Sequence, residues 1–267
     1  MPALTFLIPI RHPDNMRDKA AVARRLADTV RSIAQQENGD WRAVVVANPG
    51  TEIPPLPPRF ETVWVDFPPN TLHQREGVDQ ETFYEAFRID KGSRVLAGML
   101  HARPTGHVMI VDDDDFVSNK LAGFVAEHPK DNGWYIARGY VWTEGSPLLY
   151  AHGAFSNLCG SSHIIRADLY QIPENFMAAS HDYIKRMLGS HVMIEKHLEE
   201  SGTALTALPF YGAIYRVNSS TSHSLAGGVS RLFFFNRETL RHPLRFLRRL
   251  FRLRLRTAAI RKEFYGV

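Results

Sequence analysis

Cysteine is nearly absent from this 267-residue chain, with Cys159 the only one. That excludes an internal disulfide and any cysteine-rich zinc site, and it fits a reducing compartment. Long apolar runs are missing too. No window approaches the roughly 20 apolar residues that cross a bilayer. The opening MPALTFLIPIRHPD has no basic leader, and its apolar stretch is too short for a signal peptide. Glycine is missing where a phosphate-cradling loop would need it, because the first strand-like run gives way to Arg11-His12-Pro13, which brings charge alone. No internal repeat is seen. What remains is an ordinary globular composition, 44% apolar and 22% charged, long enough for a substantial core and expected in the cytoplasm.

Charge is unevenly spread. The net charge is +4, yet residues 241–267 carry nine Arg or Lys against one Glu, leaving −4 for residues 1–240. Basicity therefore belongs to the tail. There, RHPLRFLRRLFRLRLRTAAIRK interleaves arginine with Leu, Phe and Ile. On a helix this sets Leu244, Leu247, Leu250 and Phe251 beside a cationic face, a pattern suited to lying on an anionic membrane surface. Packing on the body, contact between copies and non-specific nucleic-acid affinity are the alternatives; no specific nucleic-acid partner is expected.

The most informative stretch is HVMIVDDDDFVS, residues 107–118. A short β-branched apolar run reads as a buried strand, and it ends in four consecutive aspartates, Asp112 to Asp115. Adjacent carboxylates raise one another's pKa unless a cation lies among them. In open α/β sheets ligands bind outside the carboxyl ends of strands. Hard oxygen ligands there suit Mg²⁺ or Mn²⁺ against a phosphorylated substrate; a solvated acidic turn is the alternative.

The rest of the chain supplies a frame. Residues 4–10, 41–46 and 62–65 read as strands, 19–36 and 83–102 as helices, and a proline-rich connector spans Pro54 to Pro58. This alternation predicts a mostly parallel α/β sheet. Further on, 134–141, 163–166 and 204–216 read as strands and 180–201 as one helix, with residues 66–80 and 142–160 as loops.

Taken in order, FLIPIRHP, TVRSIAQQENGDWRAVVVANPG, GMLHARPTGHVMIVDDDDFVS and GSSHIIRADLY resemble a family 2 glycosyltransferase of the GT-A fold, from about Leu4 to about Ser224. The resemblance implies a mostly parallel central sheet flanked by helices over residues 1–228, with a nucleotide half (1–118) and an acceptor half (119–228). A basic C-terminal helical extension, 229–267, follows. It implies inverting transfer from a nucleoside diphosphate sugar, with Mn²⁺ or Mg²⁺, to a saccharide or lipid-linked acceptor, and with the tail it implies peripheral attachment at the inner membrane face.

Site roles carry over position by position. Pro9 closes the opening strand. Asp112 contacts the nucleotide, Asp114 holds the metal with Asp112, Asp115 supports them, and Asp113 occupies the variable position. Asn48 stands where the family has an acidic base contact. Arg94, with Lys91 second, takes the place of a phosphate-neutralising arginine. Gly160, Ser161 and Ser162 form the glycine loop against donor or acceptor. For the catalytic base the family's acidic pair is absent: counting back from Gly202 reaches Ser190-His191. His191 is favoured, with Asp182 and then Glu195 behind it. His223, in YRVNSSTSHS, is the candidate to complete the metal shell. A nucleotidyltransferase and a non-catalytic transferase-like binding protein remain alternatives.

Overall fold

The computed structural model describes residues 2–72, 79–217, 228–235 and 242–267. Among these, the strands form one sheet of seven and one of five. The larger sheet is built from β1 (Leu4–Pro9), β2 (Trp41–Ala47), β3 (Phe60–Trp64), β4 (His107–Ile110), β6 (Gly133–Tyr135), β9 (His163–Arg166) and β10 (Thr206–Ala207). Its order is β10-β6-β9-β4-β1-β2-β3. Each pairing is parallel except those of β9, which runs antiparallel to β4 and β6. This is the mostly parallel α/β architecture that the residue pattern and the family resemblance call for.

Two-residue alternation along the strands builds a core on both faces of this sheet. Phe6, Ile8 and Val45 meet Leu26, Val30 and Ile33 of α1 (Lys19–Ala34) on one side. Leu7, Val44 and Val46 meet Val95, Leu96 and Met99 of α2 (Gln80–Ala102) on the other, while Leu121, Ala122 and Val125 of α3 (Leu121–Glu127) join the α1 side. All these side chains are buried, so strands of nearly continuous Val, Ile and Leu are what two covered faces require. The chain order turns back between β1 and β4, which makes their carboxyl ends the crevice where a ligand fits.

The smaller sheet, in the order β12-β8-β7-β11-β5, comprises β5 (Phe116–Val117), β7 (Arg138–Thr143), β8 (Leu148–His152), β11 (Tyr211–Val217) and β12 (Leu253–Leu255). Four expectations are corrected here. Residues 134–141 are two strands in different sheets, because Ile136 donates its N–H to the Ser162 carbonyl and the chain then crosses over. Part of the expected loop 142–160 is β8, which pairs with both β7 and β12. The tail is only partly an extension, since β12 completes the sheet and Phe264 and Tyr265 are buried against Phe116 and Trp142. The expected helix 180–201 breaks at Gly189, giving α4 (His181–Tyr183) with a following π turn, and then α5 (His191–Glu200). A Cβ on Gly189 would lie 2.1 Å from the Arg88 carbonyl oxygen, so this closeness of α2 fixes the break.

Among the described residues no helix is long and apolar enough to cross a membrane.

Candidate active site

The carboxyl ends of β1 and β4 open into a cleft enclosing about 1650 Å³, open solvent included. Its floor carries Pro9, Arg11, Asp112, Asp113, Asp114 and Gly160; Lys91 and Arg94 come from α2, and Ser190 and His191 from the start of α5. Phe83, Tyr84 and Phe87 from the first turns of α2 face it with Val192, Met193 and Tyr215. Strand register explains the floor: β4 runs parallel to β1, so the aspartates emerge beside Pro9 and Arg11.

The four aspartates meet different surroundings. Asp112 is ion-paired with the Lys91 ammonium, and its backbone N–H donates to Ser161 Oγ at 2.8 Å. Asp113 lies 3.9 Å from Arg11 and keeps one buried carboxylate oxygen without a hydrogen-bond partner among the described residues, and burial pushes its pKa up. Asp114 lies on the cleft with its pKa pushed well above the ordinary carboxylate range, first by burial and then by Asp115, Asp113 and Asp112. Asp115 is fully buried. It accepts from Ser161 Oγ at 2.7 Å, Cys159 Sγ at 3.2 Å and the Arg216 N–H at 3.2 Å, and burial pushes it up to about 7. Asp115 is thus a strut under the cleft, whereas Asp113, the supposed variable position, faces into it.

Lys91 is held above its ordinary value because the charge and hydrogen bond of Asp112 outweigh its burial. Arg94, the first choice from sequence, is otherwise engaged. It donates to Asn48 Oδ1 at 2.6 Å and to Asp90 at 3.1 Å and is 1% exposed. Asn48 in turn donates to the Phe67 carbonyl at 2.8 Å and does not line the cleft. Ser161 and Ser162 are buried and bonded within the protein, so of the glycine loop Gly160 alone reaches the cavity.

Across from the acids stands His191, whose Nε2 is buried without a partner among the described residues. Burial, then His163 and Lys91, push its pKa down to about 4, so the imidazole is neutral near neutral pH and keeps a lone pair to accept a proton. Its ring centroid is 5.8 Å from that of His163, which bonds Glu195 at 3.0 Å. Glu195 is therefore a partner of His163. Asp182 is exposed on α4, paired with Arg186 at 3.5 Å and Lys185 at 4.0 Å, and stands apart from the cleft. His223 lies outside the described residues.

In the sequence Arg11 reads only as charge without a glycine loop, and the aromatic wall has no assigned role. Arg11 follows the end of β1, a strand-end position that could have marked it; Phe83, Tyr84 and Phe87 carried no signal beyond helical spacing. Among the described residues no three His, Cys, Asp or Glu side chains gather as a ready-made metal cage. What the protein offers is hard oxygen from Asp112, Asp113 and Asp114. That donor set fits Mg²⁺ or Mn²⁺ bound through one or two carboxylates and completed by substrate phosphates.

No protein-family model matches the chain, and no curated protein matches it. Among solved structures it is similar to S. aureus TarS. One TarS structure, in complex with UDP-GlcNAc, is 11% identical, with 85% of this chain and 62% of that one covered and a TM-score of 0.42. A second is 14% identical, with 89% and 44% covered and a TM-score of 0.46. The chain thus spans less than two thirds of either. A protein from Desulfovibrio desulfuricans G20, provisionally described as a nucleotide-diphospho-sugar transferase, is 12% identical, with 92% and 94% covered and a TM-score of 0.35.

Proposed function

We propose that this chain is a glycosyltransferase that moves a sugar from a nucleoside diphosphate sugar to an acceptor hydroxyl, with inversion and with Mg²⁺ or Mn²⁺ as cofactor. The observation that carries the reading is the meeting, in one cleft at the carboxyl end of β4, of acids (Asp112 to Asp114) and cations (Arg11 and Lys91) with a neutral His191. A diphosphate leaving group needs its negative charge compensated as it departs. Arg11 and Lys91 bring positive charge to that place. Asp114, with Asp112 or Asp113, would hold the metal, which when bound supplies Lewis-acid compensation of the same charge.

His191 is the general base in this scheme. Its imidazole takes the proton of the acceptor hydroxyl, and that oxygen attacks the anomeric carbon from the side opposite the leaving diphosphate, which gives inversion. A base with a pKa near 4 is weak, but the donor's negative charge in the same cleft favours the protonated imidazole and strengthens it. Asp182, exposed and ion-paired, has no place in this step. Phe83, Tyr84 and Phe87 give the cleft an apolar wall.

The tail helix Pro243–Leu250 exposes Leu244, Leu247 and Leu250 among arginines, with Phe251 just beyond it 81% exposed. We assign this face to an anionic membrane surface, which matches its charge and its apolar side chains.

The test of the donor reading is thermal-shift titration with nucleoside diphosphates, with and without Mn²⁺, on wild type and Asp114→Asn. Wild type should gain stability from a nucleoside diphosphate, more so with Mn²⁺. Asp114→Asn should lose the Mn²⁺-dependent gain and sugar transfer while keeping its fold. Full transfer by Asp114→Asn would remove the basis of the reading. Donor binding without transfer or release of nucleoside diphosphate would leave a non-catalytic binding protein.

A further inference from the structure

Lys91 occupies an unusual position. It projects from α2, a rigid support: Arg94, one turn on, is tied to Asp90 and Asn48, and a Cβ on Gly92 would come 2.6 Å from the Ile184 carbonyl oxygen, so helix and π turn are in close contact. From this fixed rod a long flexible side chain reaches Asp112, and its ammonium pairs with the carboxylate assigned above to nucleotide and metal. Gly160 makes room for the pair, since a Cβ there would fall 2.7 Å from Asp112 Oδ2 and 3.0 Å from Lys91 Nζ. The pair stays in reach of solvent, with side-chain exposures of 17% and 33%, so it can exchange partners without opening the fold.

We propose that Lys91 is a place-holding cation of the donor-free cleft: its ammonium occupies Asp112 until the donor's diphosphate draws it away and frees that carboxylate for the divalent metal. This rests on the donor reading and adds an order of events to it. A hard cation and an ammonium compete for the same oxygens, and a diphosphate is a better partner for the ammonium than one carboxylate, because it offers more charge and more acceptors. Metal and donor therefore enter together, and the empty enzyme is kept from holding a metal ion on its own.

Equilibrium Mn²⁺ binding to the full chain, with and without UDP, tests this on wild type, Lys91→Met and Lys91→Arg. Wild type should bind Mn²⁺ weakly alone and more tightly with UDP. Lys91→Met should bind Mn²⁺ without UDP about tenfold or more tightly than wild type, since a neighbouring opposite charge shifts a carboxylate's cation affinity by about that factor, while its affinity for UDP falls. Opposite signs for the two ligands distinguish a place-holder from a structural lysine, whose loss would weaken both. Lys91→Arg should behave as wild type does in the Mn²⁺-only arm. Unchanged or weaker Mn²⁺ binding by a folded Lys91→Met overturns the proposal. Should that variant not fold, the wild-type arms still decide, because Mn²⁺ bound equally tightly with and without UDP overturns it as well. UDP binding that ignores EDTA but needs Lys91 would make the lysine a permanent substitute for metal, overturning the exchange while sparing the donor reading. UDP binding lost only in Lys91→Met with no change in its Mn²⁺ binding would overturn the exchange, and absence of binding by every nucleoside diphosphate in every protein would overturn both.

Discussion

Asp114 sits among three other carboxylates, and burial with their charge pushes its pKa well up. A site that concentrates like charge for a cation is strained before the cation arrives. Asp114→Asn should therefore raise the melting temperature of the metal-free protein even as transfer is lost. The rise should be a few degrees, since about 1 kcal/mol moves a domain of this size by roughly 2–4 °C. Asp115 lies one residue away with the opposite expectation: Asp115→Ala strands the donors of Ser161, Cys159 and Arg216 and should cost about 1–3 kcal/mol in chemical denaturation. His191 adds a pH dependence. Its folded pKa, about 4, lies below the ordinary 6.5, so the unfolded chain takes up the proton first. The stability from keeping it neutral is present above the ordinary value and is lost as pH falls through the folded one. Wild type should accordingly lose more melting temperature than His191→Gln between about pH 7 and about pH 4.5. The run of aspartates was legible in the sequence because strand and acids are contiguous. Which aspartate is strut and which faces the cleft was not, because Ser161, Cys159 and Arg216 come from distant parts of the chain. The engagement of Arg94 by Asn48 was hidden for the same reason.

The elements of the first half were legible because each is set by its own residues: β-branched runs for the buried strands, Leu26, Val30 and Ile33 at helical spacing for α1. The second half is decided by contacts between segments. Residues 134–141 are one apolar run, yet the Ser162 carbonyl and the crossover divide it between two sheets. The helix expected over 180–201 breaks where Gly189 meets the backbone of α2, and the break puts His191 in the first turn of α5, on the cleft. The last residues are the least legible of all. Phe264 is 1% exposed and packs with Phe116, Trp142 and Ile214, while Glu263 accepts from Ser118 Oγ at 2.7 Å and from Lys120 at 3.0 Å. Phe264→Ala should cost about 3–5 kcal/mol in denaturant unfolding. A cost under 1 kcal/mol would mean that this segment does not belong to the core.

Across the whole molecule, charge divides into an acidic body and a basic end, with the apolar side chains Leu244, Leu247, Phe251 and Leu255 exposed at that end. Because β12 and Phe264 lie beyond the tail helix, deleting residues 241–267 would dismantle the second sheet, so membrane attachment is better examined by substitution. Leu247→Glu with Phe251→Glu should leave the melting temperature nearly unchanged and abolish flotation with vesicles of anionic lipid; flotation equal to wild type would assign the tail to another partner. The scarcity of cysteine acquires a use at this scale. Cys159 is buried, its thiol is pushed well up, and it donates to Asp115, the strut beneath the acids. A thiol reagent can reach it only when the floor of the cleft opens. Its alkylation rate is therefore an intrinsic clock for the breathing of the aspartate loop, readable in unmodified protein, and a ligand that braces the loop would slow that clock.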